Sequence, residues 1–96
     1  MPTYVSLVEY TQQGIEDIEA SPARLEEAKE LAESLGGELT DFFLTFGEYD
    51  IVTVSEFPDD QTAARFVLSV ARGGAVSTET LKAFPEDEYR EIIDAL

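Results

Sequence analysis

Two residue types that carry much of enzyme chemistry are missing from this 96-residue chain: it has no cysteine and no histidine. Without cysteine there is no disulfide, no thiolate nucleophile and no zinc–sulfur site. Without histidine, the usual near-neutral general base and the commonest transition-metal ligand are both gone. Chemistry here would have to come from a carboxylate, a tyrosine, an arginine or a bound group. The carboxylates could in principle hold Mg²⁺ or Ca²⁺, but no ordered ligand loop of the EF-hand kind is present. The sequence therefore implies no metal and no cofactor.

Positive charge is scarce too. Two lysines, Lys29 and Lys82, and four arginines face 21 acidic residues, for a net charge of −15. Such a surface repels phosphate backbones and anionic lipid, so neither nucleic acid nor membrane is an expected partner. The acids are spread along the chain, at Glu26, Glu27, Glu30 and Glu33, at Asp59 and Asp60, and from Glu86 to Glu88. Self-repulsion of this size destabilises a compact state at low salt and is a device of halophiles. The expectation is a salt-loving cytoplasm, against the plainer reading of an ordinary acidic protein. No run of about 18 apolar residues exists to cross a membrane. Met1-Pro2-Thr3-Tyr4 lacks the basic and apolar regions of a signal peptide, which again favours the cytoplasm.

The length suits one domain, residues 1–96, and 44% hydrophobic content suffices to fold it. Thr3–Tyr10 reads as a strand and Thr11–Ala20 as a polar connection around Gly14, with room for one helical turn. Ser21-Pro22 reads as the N-cap and first position of a helix, with Leu25, Ala28, Leu31, Ala32 and Leu35 forming its apolar stripe. Gly36-Gly37 stops it. Strands follow at Glu38–Phe46 and Asp50–Phe57. A second helix begins at Pro58-Asp59-Asp60, with Asp59-Asp60 as a cap rather than a metal site, and ends at Gly73-Gly74. Ala75–Phe84 reads as the fourth strand, and Pro85 opens a last helix with Tyr89, Ile92, Ile93 and Leu96 on one stripe.

This order predicts an α+β fold: a ferredoxin-like βαββαβ unit with a C-terminal helix, its four-stranded antiparallel sheet carrying the helices on one face. Tyr4-Val5, Leu7-Val8, Phe42-Phe43-Leu44 and Ile51-Val52 are apolar on both sides of their strands. A sheet with one wet face alternates more cleanly. The second face is therefore expected to be covered by another copy of the chain, as a homodimer. The terminal stripe is expected to dock on its own domain or on the partner subunit.

Between the second and third strands lies Phe46-Gly47-Glu48-Tyr49-Asp50, a glycine turn bearing a phenol beside a carboxylate. Gly47, Tyr49 and Asp50 resemble the Gly-x-Tyr-Asp signature of the GYD-domain family. Other segments are similar to that family in order: Tyr4-Val5-Ser6-Leu7-Val8 with Tyr10-Thr11 and Gly14, then Ser21-Pro22-Ala23-Arg24, Gly36-Gly37, and Thr78-Glu79-Thr80-Leu81 with Ala83-Phe84. The resemblance implies the dimeric α+β barrel arrangement, in which two such sheets pack face to face. It implies no particular reaction.

Strand direction predicts that Tyr10, Thr11, Arg24, Tyr49 and Asp50 gather at one end of the sheet, near Gly73-Gly74. Arg24 lies in the first turn of a helix, where the macrodipole disfavours a cation. Asp50 is its expected counter-ion. The cluster then either pins helix to hairpin or anchors an anionic ligand, with Tyr49 and Asp50 as hydrogen-bonding or acid–base groups. Tyr4, Tyr10, Phe42 and Phe43 could line a pocket but more commonly serve as core or dimer interface. The leading functional expectation is a homodimeric module that binds a small molecule or a protein. The alternatives are a cofactor-free monooxygenase- or isomerase-like enzyme and a structural subunit.

Overall fold

A computed structural model describes Met1–Leu96. Strand β1 (Thr3–Tyr10) leads into a short helix α1 (Gln12–Glu16), a 3-10 turn (Ile18–Ala20) and helix α2 (Ser21–Ser34). Strands β2 (Glu38–Leu44) and β3 (Ile51–Glu56) form a hairpin, followed by α3 (Asp60–Arg72), β4 (Val76–Ala83) and α4 (Glu86–Asp94). The strands lie in the order β2-β3-β1-β4, and every neighbouring pair is antiparallel. This is the ferredoxin-like arrangement read from the sequence.

The pleat sorts residues between two faces. Tyr4, Ser6 and Val8 of β1 are buried beneath the helices, while Val5 and Leu7 point the other way and are only partly covered. Register carries the same parity across the sheet, because Val8 opposes Ile51 and Leu7 opposes Val52. In β2 a bulge between Leu39 and Asp41 shifts the alternation, so Leu39 and Phe42 both oppose helix-side residues of β3. Phe43 is left on the open face, 55% exposed.

The core occupies one end of the space between sheet and helices. Phe57, 1% exposed, sits among Tyr4, Ala32, Ala63 and Phe66. Its ring centroid lies 4.9 Å from Phe66 and 6.2 Å from Tyr4. The Tyr4 hydroxyl donates to the Asp60 carboxylate, which also receives Lys82 at 3.1 Å, so the start of α3 is tied to β1 and β4. Burial, then this carboxylate, push the Tyr4 phenol up to about 12. The Tyr4 and Lys82 hydrogen bonds hold Asp60 below its usual range.

Three local expectations are revised. Ser21 is not the N-cap: the 3-10 turn runs straight into α2, Ala20 is already helical, and the Ser21 hydroxyl is engaged by Tyr10 instead. Strand β2 ends at Leu44, two residues early, because Thr45 turns back to bond Asp50 and Tyr49. Helix α4 does not dock on its own domain: none of its residues is buried, and Tyr89, Ile92, Ile93 and Leu96 are all exposed. Asp59 does cap α3, its carboxylate accepting from the Thr62 amide at 2.8 Å.

Candidate functional site

At the opposite end from Phe57 the space between sheet and helices is not filled. Several of the residues around that space are small: Ala28 of α2, Ser69 of α3, and Gly73 and Ala75 between α3 and β4. They cannot span the gap to Val8, Ile51 and Phe42 of the sheet. The result is a cavity of about 250 Å³, open on one side and walled mainly by apolar side chains including Leu25, Leu31 and Val70. Its polar groups are few: Tyr10, Ser21, Arg24, Glu27 and Ser69.

Tyr10 and Ser21 meet hydroxyl to hydroxyl at 2.9 Å. Arg24 is 29% exposed, and its Nη1 donates to the Asp17 main-chain carbonyl at 3.2 Å, with the Asp17 carboxylate 3.7 Å away. Its Nη2 is buried and has no hydrogen-bond partner. Glu27 is exposed.

The predicted cluster is therefore only partly brought together. Asp50 accepts from the Tyr10 main-chain N–H at 2.9 Å, where β1 runs on past its pairing with β3. Thr11 donates its hydroxyl to the Gly74 carbonyl at 2.6 Å and accepts from the Gly14 amide, which joins the end of β1 to the end of α3. The expected Arg24–Asp50 pair does not form. The 3-10 turn brings Asp17 alongside the start of α2, so a residue seven positions earlier supplies the counter-charge. Tyr49 leaves the cluster as well. It crosses to the open face and donates to the Glu79 carboxylate at 2.8 Å. That hydrogen bond is the main reason its phenol is pushed up to about 12, with burial and the charges of Glu79, Glu48 and Glu9 adding to it.

Of the aromatics considered for a pocket, Tyr10 and Phe42 line the cavity, Tyr4 belongs to the core, and Phe43 faces outward. Sequence reasoning missed Ser21, Leu25 and Ala28 as wall residues. The available signal was the set of small residues on helix faces turned toward the sheet, legible only once those faces are known.

Fold and cavity together define a small two-layer α+β domain of ferredoxin-like topology with a space between its layers. The chain belongs to the GYD domain family, whose model matches residues 4–93. It is 37% identical over 86 residues to a Thermus thermophilus protein named glutamine synthetase and cystathionine beta-lyase binding protein, covering 88% of this chain and 90% of that one. Among solved structures it is similar to a feast or famine regulatory protein of M. tuberculosis complexed with L-methionine. There the TM-score is 0.67 at 13% identity, over 88% of this chain and 50% of that longer one. It is also similar to a protein of Thermus thermophilus whose crystal structure is known, with a TM-score of 0.57 and 22% identity over 88% of this chain and 94% of that one. These two structural likenesses concern the fold alone.

Proposed function

We propose that this protein is a small cytoplasmic binding module, residues 1–96 acting as one domain, that pairs with a second copy through its open sheet face and takes a small molecule into the cavity beside Tyr10 and Arg24. The cavity carries the ligand half of this reading. It is concave, mostly apolar and supplied with a few polar groups at one end, the usual make-up of a small-molecule site. The Tyr10 and Ser21 hydroxyls are paired with each other, that of Ser69 bonds the Arg65 carbonyl, and the cation is tethered, a set suited to holding a ligand rather than to moving protons.

Surface area supports the dimer half. A monomer of this mass is expected to expose roughly 5,500 Å², whereas this one exposes 6412 Å². The surplus, on the order of 900 Å², is shared between the undocked helix α4 and the open sheet face, whose apolar residues a second copy would cover. Val5, Leu7, Phe43, Val52, Val54 and Leu81 share the open face by register. Light scattering in molar KCl tests this, with about twice 10.6 kDa expected. A monomer at tens of micromolar would remove the dimer from the proposal. Binding of a neutral ring-bearing alcohol, lost when Ala28→Phe fills the cavity, tests the ligand half.

A second reading is favoured by a separate observation. The name of the Thermus thermophilus relative describes a protein that binds enzymes, and the unburied stripe of α4 offers a surface for such contact. Capture of purified glutamine synthetase by the full chain, and its loss on truncation after Phe84, would support an adaptor role. Undiminished capture by the truncated chain would exclude α4 from it.

A further inference from the structure

Arg24 is held from one side only. Its outer nitrogen is engaged by Asp17, at 3.2 Å to the carbonyl and 3.7 Å to the carboxylate. The other, Nη2, is buried without a partner on a side chain that lines the cavity. An unmet donor on a charged group is among the costlier things a protein can bury. Arg24 also sits in the first turn of α2, where the helix dipole opposes a cation and favours an anion. Asp17 answers part of this charge from one side, and the unmet Nη2 leaves a place for a second, negatively charged acceptor.

The neighbouring hydroxyls offer a second contact. Tyr10 and Ser21 share one hydrogen bond, so whichever of them accepts keeps its own proton free to donate elsewhere. Beyond these groups the wall is apolar, with Val8, Leu31, Phe42 and Ile51 facing the space. An apolar cavity of about 150 Å³ holds benzene. The 250 Å³ here admits a ring with a short polar arm.

We propose that the cavity binds a small monocarboxylic acid with a ring-sized apolar tail. Its carboxylate accepts from the free hydroxyl of the Tyr10–Ser21 pair and from Arg24 Nη2, which a shift of that partly exposed side chain brings into the cavity, and its tail lies against Val8, Phe42, Ile51 and Leu31. This rests on the cavity reading above and adds the chemical class. A single negative charge suits the site better than a phosphate dianion. Only one guanidinium edge is available, Glu27 stands among the lining residues, and the chain itself carries −15.

The experiment is calorimetry in 1 M KCl with 4-phenylbutyrate and its neutral counterpart 4-phenylbutanol, on the wild type and on Arg24→Gln. The wild type is expected to bind the acid at least tenfold more tightly than the alcohol. Arg24→Gln should bring the two to the same affinity and leave the alcohol unchanged. Equal binding of both by the wild type would overturn the carboxylate assignment and leave the cavity reading standing. Binding of neither would overturn both. If Arg24→Gln does not fold, the wild-type ratio decides, together with amide chemical shifts. Shifts centred on Tyr10, Arg24 and Val70 locate the acid in the cavity, and shifts on the open sheet face instead would defeat the proposal.

Discussion

The Asp50 carboxylate accepts a hydrogen bond from the main-chain N–H of Tyr10 at 2.9 Å. The Asp50 amide in turn donates to the Val8 carbonyl at 2.9 Å. One residue of the family's naming motif thus serves the backbone of β1 at the point where its ladder with β3 ends. Asp50→Ala leaves the part-buried Tyr10 amide without its acceptor and is expected to cost about 1–3 kcal/mol. Urea denaturation checks it. An unchanged midpoint would mean that water replaces the carboxylate.

Tyr49, one residue earlier, works on the open face of the sheet. Its phenol, pushed up to about 12, is protonated more firmly in the folded protein than in the unfolded chain, where it titrates near 10. A raised value of this kind adds stability that is fully present below pH 10 and is lost as pH rises through 12. The melting temperature of the wild type should therefore fall more steeply between pH 10 and 12 than that of Tyr49→Phe. Tyr4 also titrates near 12 but is common to both proteins, so the difference isolates Tyr49. Parallel curves would show that the Glu79 contact is not maintained in solution.

Gly14 is required by a close approach. A Cβ built there would lie 2.0 Å from the Ala75 carbonyl oxygen, which also accepts from the Thr11 amide at 3.0 Å. In an open helix Gly→Ala gains up to about 1 kcal/mol. Here the main chain of α1 would have to lift off the start of β4, and Gly14→Ala is expected to destabilise by about 1–3 kcal/mol, the range for overpacking. Chemical denaturation gives the sign directly, and a stabilised variant would contradict this packing.

Salt should stabilise the protein. With −15 on 96 residues, and with Arg24–Asp17, Lys29–Glu26, Lys82–Asp60 and Arg90–Glu86 as its ion pairs, repulsion outweighs attraction over most of the surface. Raising ionic strength from about 0.01 M to 1 M shortens the screening length from about 30 Å to about 3 Å. The melting temperature is expected to climb between dilute buffer and molar KCl. A flat or falling midpoint would remove the salt-loving reading.

The elements and their order were legible in the chain because each depends on near neighbours. The apolar run of Thr3–Tyr10, the stripe from Leu25 to Leu35, the Asp59 cap and the glycine stops are local patterns, and local patterns survive folding. The motif Gly47-x-Tyr49-Asp50 was legible as a turn for the same reason: Gly47 takes a φ of +112°, which other residues rarely adopt. Side-chain partnership was a different matter. Arg24 reached Asp17 rather than Asp50 because a 3-10 turn folded the connection back beside α2. Tyr49 and Asp50, adjacent in sequence, took different partners, Tyr49 the Glu79 carboxylate on the open face and Asp50 the main chain at the end of β1. The cavity arose where Ala28, Ser69, Gly73 and Ala75 happened to face Val8, Phe42 and Ile51, a meeting of five separate segments. Sequence spacing constrains which residues share a face of one element. Only the packing of one element on another decides what that face touches, and whether the space between is filled.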